Sequence, residues 1–134
     1  MEQDGNIVKM EALTPETEYY PKELISFVTE EFNKKPSHRQ DDVRVAAGEI
    51  IANAILYGNN RDPLKQIEIY CLWKEKVFYF AVKDQGSGID INNPPFVPGR
   101  SGSAPDGGMG IEVTKMKTDL LYSQGSTVYC GVRI

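Results

Sequence analysis

Glu49 and Asn53 stand four residues apart in the stretch GEIIANAILYGN. On a helix, four steps of ~100° bring two side chains within ~40° of one another, so the pair shares a face. The carboxylate can accept a proton from an attacking hydroxyl or water. The amide oxygen is a hard neutral ligand of the kind Mg²⁺ takes when water and phosphate fill the rest of its shell. A surface-facing polar pair on an amphipathic helix uses the same two letters, although the neighbours here are strongly apolar. Asp84 ends an apolar run and is followed by Gly86 and Gly88. Its carboxylate offers an acceptor to an amine, and glycines at alternate positions permit positive φ and close approach of a flat ligand. A plain turn has the same composition. Gly107-Gly108-Met109-Gly110 comes before a helical pattern. Unpaired N–H groups and the positive end of a helix dipole favour phosphate there, and a flexible hinge is the alternative use of the same glycines.

Positioning these groups requires helices and strands in a definite order. Asn6 to Ala12 can form a first strand, and Thr14-Pro15-Glu16-Thr17 offers an N-cap with proline at the first helical position. The best-supported part of the following helix is Lys22 to Phe32, with Tyr20-Pro21 as its start or a kink and Lys34-Lys35-Pro36 as its end. Ser37 and Gln40 have the spacing of a capping box for a second helix that runs to about Tyr57 and stops at Gly58-Asn59-Asn60. Val43, Ala47, Ile50 and Ala54 form its apolar stripe, which marks it for burial against a sheet. The period then changes to two: Ile67, Ile69, Cys71 and Trp73 alternate with polar and aromatic residues, and Lys74-Glu75-Lys76 turns the chain into Val77 to Lys83 as an antiparallel hairpin. A long irregular loop spans Asn92 to Asp106, and a loop of that length in a compact domain is functional or mobile. A third helix to about Thr118 and two strands, Leu120 to Ser123 and Ser126 to Ile134, complete an α+β sandwich with helices on one face of a mostly antiparallel sheet.

Composition narrows the class. The chain has 134 residues, 15 Lys+Arg against 19 Asp+Glu, and a net charge of −4. That length fits one domain, and 40% hydrophobic residues suffice for one core. The acidic balance and the lack of a basic run argue against direct nucleic-acid binding. The N-terminus MEQDGNIVKM lacks the basic and apolar regions of a signal peptide, and no apolar run approaches the ~20 residues of a membrane span. A soluble cytoplasmic protein with two buried free thiols, Cys71 and Cys130, is expected. His38, the single histidine, belongs to solvent beside a helix cap. Trp73 and the hairpin tyrosines read as packing residues, and Met109 and Met116 as contacts of the third helix with the sheet.

Taken in order, Glu-x-x-x-Asn on a helix, Asp-x-Gly-x-Gly after a strand, a long loop, Gly-x-Gly before a helix and a late Gly-Ser-Thr resemble the GHKL ATP-binding superfamily. The segments GEIIANAILYGN, VKDQGSGID and GGMGIEVTKMKTD are most similar to the anti-sigma factor serine kinases of bacterial partner-switching systems, over about residue 40 to the end. The resemblance implies a GHKL (Bergerat) fold and Mg-ATP as ligand. It assigns Glu49 as catalytic base, Asn53 as Mg²⁺ ligand, Asp84 as acceptor for the adenine amine with Gly86 and Gly88 beside the base, and Gly108, Met109 and Gly110 to the phosphates. Ser126 would support Asp84 through its hydroxyl, with Thr127 next to it. Three positions depart from the family pattern: Tyr57 replaces a common histidine, Ser126 a threonine, and Asp106 the lid arginine, leaving Arg100 as the lid cation that substitutes. The implied activity is transfer of phosphate to a serine or threonine of a STAS-type anti-sigma antagonist, with a sigma factor in the cycle and a homodimer as the assembly. Asp106 favours a second reading, a nucleotide-dependent binding module that transfers no phosphate.

Overall fold

The structure, a computed structural model, describes residues 6–15, 21–86, 88, 90–92 and 106–134, the segment 106–110 by its main chain alone. In chain order the elements are β1 (Ile7–Leu13), α1 (Lys22–Phe32), α2 (Gln40–Asn53), β2 (Gln66–Lys74), β3 (Val77–Lys83), α3 (Asp106–Lys117), β4 (Leu120–Gln124) and β5 (Thr127–Arg133). The strands form a five-stranded sheet in the order β1-β2-β3-β5-β4, and every neighbouring pair is antiparallel. The helices lie on one face, so the expected α+β sandwich is what the chain forms.

Strict alternation creates the two faces of the sheet. Ile67 and Ile69 of β2, Phe78 and Val82 of β3, and Val128 and Val132 of β5 point inward and are buried with Val28, Val43 and Ile50 of the helices. Burying one such side chain contributes about 1.5–3 kcal/mol. Register places Cys71, Phe80 and Cys130 in one row. Both thiols are free, and burial pushes both well above the ordinary thiol range. Trp73 is a packing residue, as expected: it stacks on Phe32 at 5.4 Å and its indole N–H donates to Glu31 O at 3.0 Å. Tyr70 and Tyr79 are half-buried on the opposite, outer face, where they line a shallow concavity of about 490 Å³.

Several helix boundaries move relative to the sequence pattern. Thr14 does not cap α1; that helix starts after Pro21, and Thr14 is buried beneath the end of β1. Ser37 forms no capping box: its hydroxyl accepts the N–H of Arg39 at 3.0 Å, two residues on, and the N-cap of α2 is Arg39. α3 covers Asp106–Lys117 among the described residues, so the main chain of Gly107-Gly108-Met109-Gly110 is helical. Met116 does not touch the sheet; it is 80% exposed. Ile111 and Thr114 define the buried face of α3, and a residue five steps from Ile111 points ~140° away from it.

Arg39 closes the layer at one end. Its guanidinium donates to Asp42 at 2.9 Å, Asp119 at 2.7 Å, Arg133 O at 2.8 Å and Lys117 O at 3.0 Å, which ties α2 to the ends of α3 and β5. The Arg133 N–H, and after it the Arg39 guanidinium, hold the Asp119 carboxyl below its ordinary range. That contribution is fully present above the ordinary carboxylate pKa and is lost as pH falls through the lowered value. Arg39→Ala is expected to reduce unfolding free energy by about 2 kcal/mol, because it removes at once four hydrogen bonds that tie α2 to the ends of α3 and β5. Urea denaturation checks this, and Arg39→Lys, with a single donor group, should restore less than half of the loss.

Candidate functional site

Beyond Asn53 the second helix widens. Ala54–Gly58 form a π-helical turn closed by the Asn59 N–H on Ala54 O at 2.8 Å, and just beyond it the Arg61 N–H reaches back to Ile55 O at 2.9 Å. Such turns insert one extra residue per turn and occur often at functional sites. Asn60 and Arg61, at φ 53° and 59°, then reverse the chain toward β2. The sequence pattern ends the helix at Gly58 correctly, but the glycine serves another purpose. A Cβ on Gly58 would overlap the Asp84 carboxylate, and a Cβ on Gly86 would overlap Gly58 O. The end of the helix is thereby pressed directly onto the Asp84 loop.

Asp84 follows β3 on the inward side of the sheet and is only 3% exposed. Its own N–H donates to Ser126 O at 2.9 Å. The Gly86 N–H donates to its Oδ1 at 2.8 Å, and the Gly88 N–H also bonds the carboxylate. Burial raises the Asp84 pKa, against the smaller lowering effects of Gly86, Gly88 and Lys65. A carboxylate has about four lone-pair positions, so two amide bonds leave it capacity for a further donor. Gly88, at φ 85°, packs against the Gly125 and Ser126 backbone, where a Cβ would overlap.

Gly58 thus meets the loop of Asp84, Gly86 and Gly88, which itself abuts the Ser126 main chain, and Asn53 and Glu49 lie five and nine residues before Gly58 on the same helical run. Asn53 is buried and Glu49 half-buried one turn earlier. From Glu49 to Asn53 the α-helix rises roughly 6 Å at about 1.5 Å per residue. Ser126 meets Asp84 through its carbonyl, and Thr127 stands elsewhere: it pairs with Lys83 and lines the outer concavity. The main chain of Gly108, Met109 and Gly110 is helical. Arg100 and most of the expected lid lie outside the described residues. Among the described residues no group of three or more His, Cys, Asp or Glu is placed to hold a metal.

One residue of this region carries no signal in the sequence pattern beyond a helix stop. Asn59 is fully buried, and its side chain bonds Thr14, Gln66 and Gln85. The clue available was its place directly after Gly58, facing a second glycine loop.

A sheet covered by helices on one face, with a buried, amide-held carboxylate against the end of a helix that carries Glu49 and Asn53, defines a ligand-binding α+β domain. The sequence pattern of the histidine kinase-like ATPase domain matches residues 13–130, and the chain belongs to that family. Membership implies ATP as the ligand. A search of curated proteins found no match. Among the described residues no helix is long and apolar enough to cross a membrane.

Proposed function

We propose that this chain binds Mg-ATP between α2 and the Asp84 loop and transfers its terminal phosphoryl group to a serine or threonine of a STAS-type anti-sigma antagonist. The supporting observation is the direct seating of the end of the Glu49/Asn53 helix on the Asp84 loop through Gly58 and Gly86. Asp84 accepts the adenine amine, and its low exposure strengthens that bond by excluding water. Asn53 supplies the one protein oxygen that a Mg²⁺ needs when phosphates and water complete its shell, which fits the lack of a carboxylate cluster among the described residues. When bound, Mg²⁺ neutralises charge on the phosphates. Glu49 takes the proton of the acceptor hydroxyl as its oxygen bonds to the γ-phosphorus; the bond to the β–γ bridging oxygen breaks and ADP leaves.

In this reading the protein is cytoplasmic, acts on sigma factor availability through its antagonist, works as a homodimer, and contacts neither nucleic acid nor membrane directly. Radiolabel transfer from ATP to a candidate antagonist tests the transfer. A thermal-shift measurement tests the pocket first: Mg-ATP at 100 times its Kd should stabilise by about 2.7 kcal/mol. For a domain of this size that is a rise in Tm of roughly 8 °C, whereas Mg-GTP should produce little. The alternative is a nucleotide-dependent binding module that sequesters or activates a partner without transfer. It is favoured by Asp106, which stands where the family pattern has its lid arginine. In that case ATP changes partner affinity and no label moves.

A further inference from the structure

We propose that Asn59 is a positioning residue for the nucleotide, acting through the Asp84 loop without touching the ligand; the inference rests on the ATP-site reading above. Asn59 is fully buried. Its Nδ2 donates to Thr14 Oγ1 at 2.7 Å and to Gln66 O at 3.0 Å, and its Oδ1 accepts the Gln85 N–H at 2.6 Å. One amide thus joins three separate segments: the residue after β1, the start of β2, and the turn that follows β3. Its own N–H closes the π-helical turn on Ala54 O. Gln85 lies between Asp84 and Gly86, whose N–H holds Asp84 Oδ1. The peptide that Asn59 grips is therefore the one from which the carboxylate is aimed.

A helix stop does not explain this residue. Asparagine is common at helix ends because it tolerates left-handed backbone, yet Asn59 has φ −88° and ψ −3°, and the reversal is made by Asn60 and Arg61. What is used is the side-chain amide, with both donors and the acceptor engaged. An amide so placed can fix a loop to within a hydrogen bond's tolerance, and a binding group held that closely loses little freedom when the ligand arrives.

The test compares ATP with purine-riboside triphosphate, which lacks the exocyclic amine that Asp84 would accept. Calorimetry is done on wild type, Asn59→Ala and Thr14→Val, the last removing one anchor of Asn59 at nearly constant shape. In Asn59→Ala the affinity for ATP should fall about tenfold, the loss of a charge-assisted hydrogen bond, while the amine-free nucleotide loses far less and the preference collapses. Thr14→Val should move the preference the same way by a smaller factor. A merely structural role weakens both nucleotides equally; an unchanged preference in both variants overturns the proposal.

A second arm needs no nucleotide. In the free protein the Gly86 amide should exchange at least about tenfold faster in Asn59→Ala, since its partner carboxylate is no longer held in place. Unchanged Gly86 exchange in both variants also overturns the proposal. Should Asn59→Ala fail to fold, Thr14→Val carries both arms. A wild-type protein with no preference for ATP over the amine-free nucleotide refutes the base-recognition reading instead, and the exchange arm then still decides whether Asn59 holds the loop.

Discussion

Asp84→Asn is expected to lower ATP affinity by about ten- to a hundredfold while leaving the free protein as stable as wild type or more so. The affinity change follows from replacing a charged acceptor by a neutral one, a difference of about 1.5–3 kcal/mol. Asparagine also has a single acceptor oxygen, and the Gly86 N–H, which now bonds Asp84 Oδ1, competes for it. The stability change has the opposite sign because burial raises the Asp84 pKa in the folded protein. Between the ordinary and the raised value the folded state holds more protons than the unfolded, so stability falls as pH rises through that window and stays lower at neutral pH. A neutral amide removes this penalty. Thermal melts with and without Mg-ATP read both effects at once: a higher Tm for the free variant and a smaller shift on adding nucleotide. Equal ATP affinities for variant and wild type by calorimetry would take Asp84 out of the site.

The same geometry explains what was legible in the sequence. Glu49 and Asn53 share a face because helical period is a local property, and the hairpin of β2 and β3 is written in an alternation of two. The strand that ends before Asp84 was legible as well, whereas the two spaced glycines after it read equally as a plain turn. Long-range contact is what the pattern hides. Gly58 looks like a helix terminator until the Asp84 carboxylate is found against its Cα. Asn59 looks like a cap until its amide is seen to span three segments. Thr127, adjacent to Ser126, shares its neighbourhood in sequence but as the first residue of β5 lines the outer concavity. Met116 was misread for a related reason: its apolar character says nothing about which side of α3 the core lies on, and Ile111 and Thr114 decide that.

The order of the elements also bears on how binding and chemistry are coupled. Asn53 ends the regular part of α2, and the π-helical turn that follows carries Gly58 onto Asp84. The Asp84 loop therefore abuts the turn that continues the Glu49 helix, with no room for a side chain between them. In the proposed site this contact would couple recognition of the base to the position of the proton acceptor. A ligand held only by its phosphates would leave that coupling unused.

Glu49 and Asn53 should then separate chemistry from binding. Glu49→Gln preserves shape and hydrogen bonding but cannot take a proton, so transfer to the antagonist should fall by roughly a hundredfold or more while ATP binds as in wild type. Asn53→Ala removes the metal's protein ligand, so affinity for Mg-ATP should fall and the difference between nucleotide binding with Mg²⁺ and with EDTA should shrink. The binding-module reading makes another forecast for the first variant: Glu49→Gln leaves ATP binding and partner affinity unchanged, and wild type itself transfers no label. Phosphotransfer assays and partner titrations on the two variants therefore distinguish the readings. Transfer by Glu49→Gln at the wild-type rate would remove Glu49 from the mechanism, and Mg²⁺ dependence intact in Asn53→Ala would assign the metal to oxygens other than the Asn53 amide.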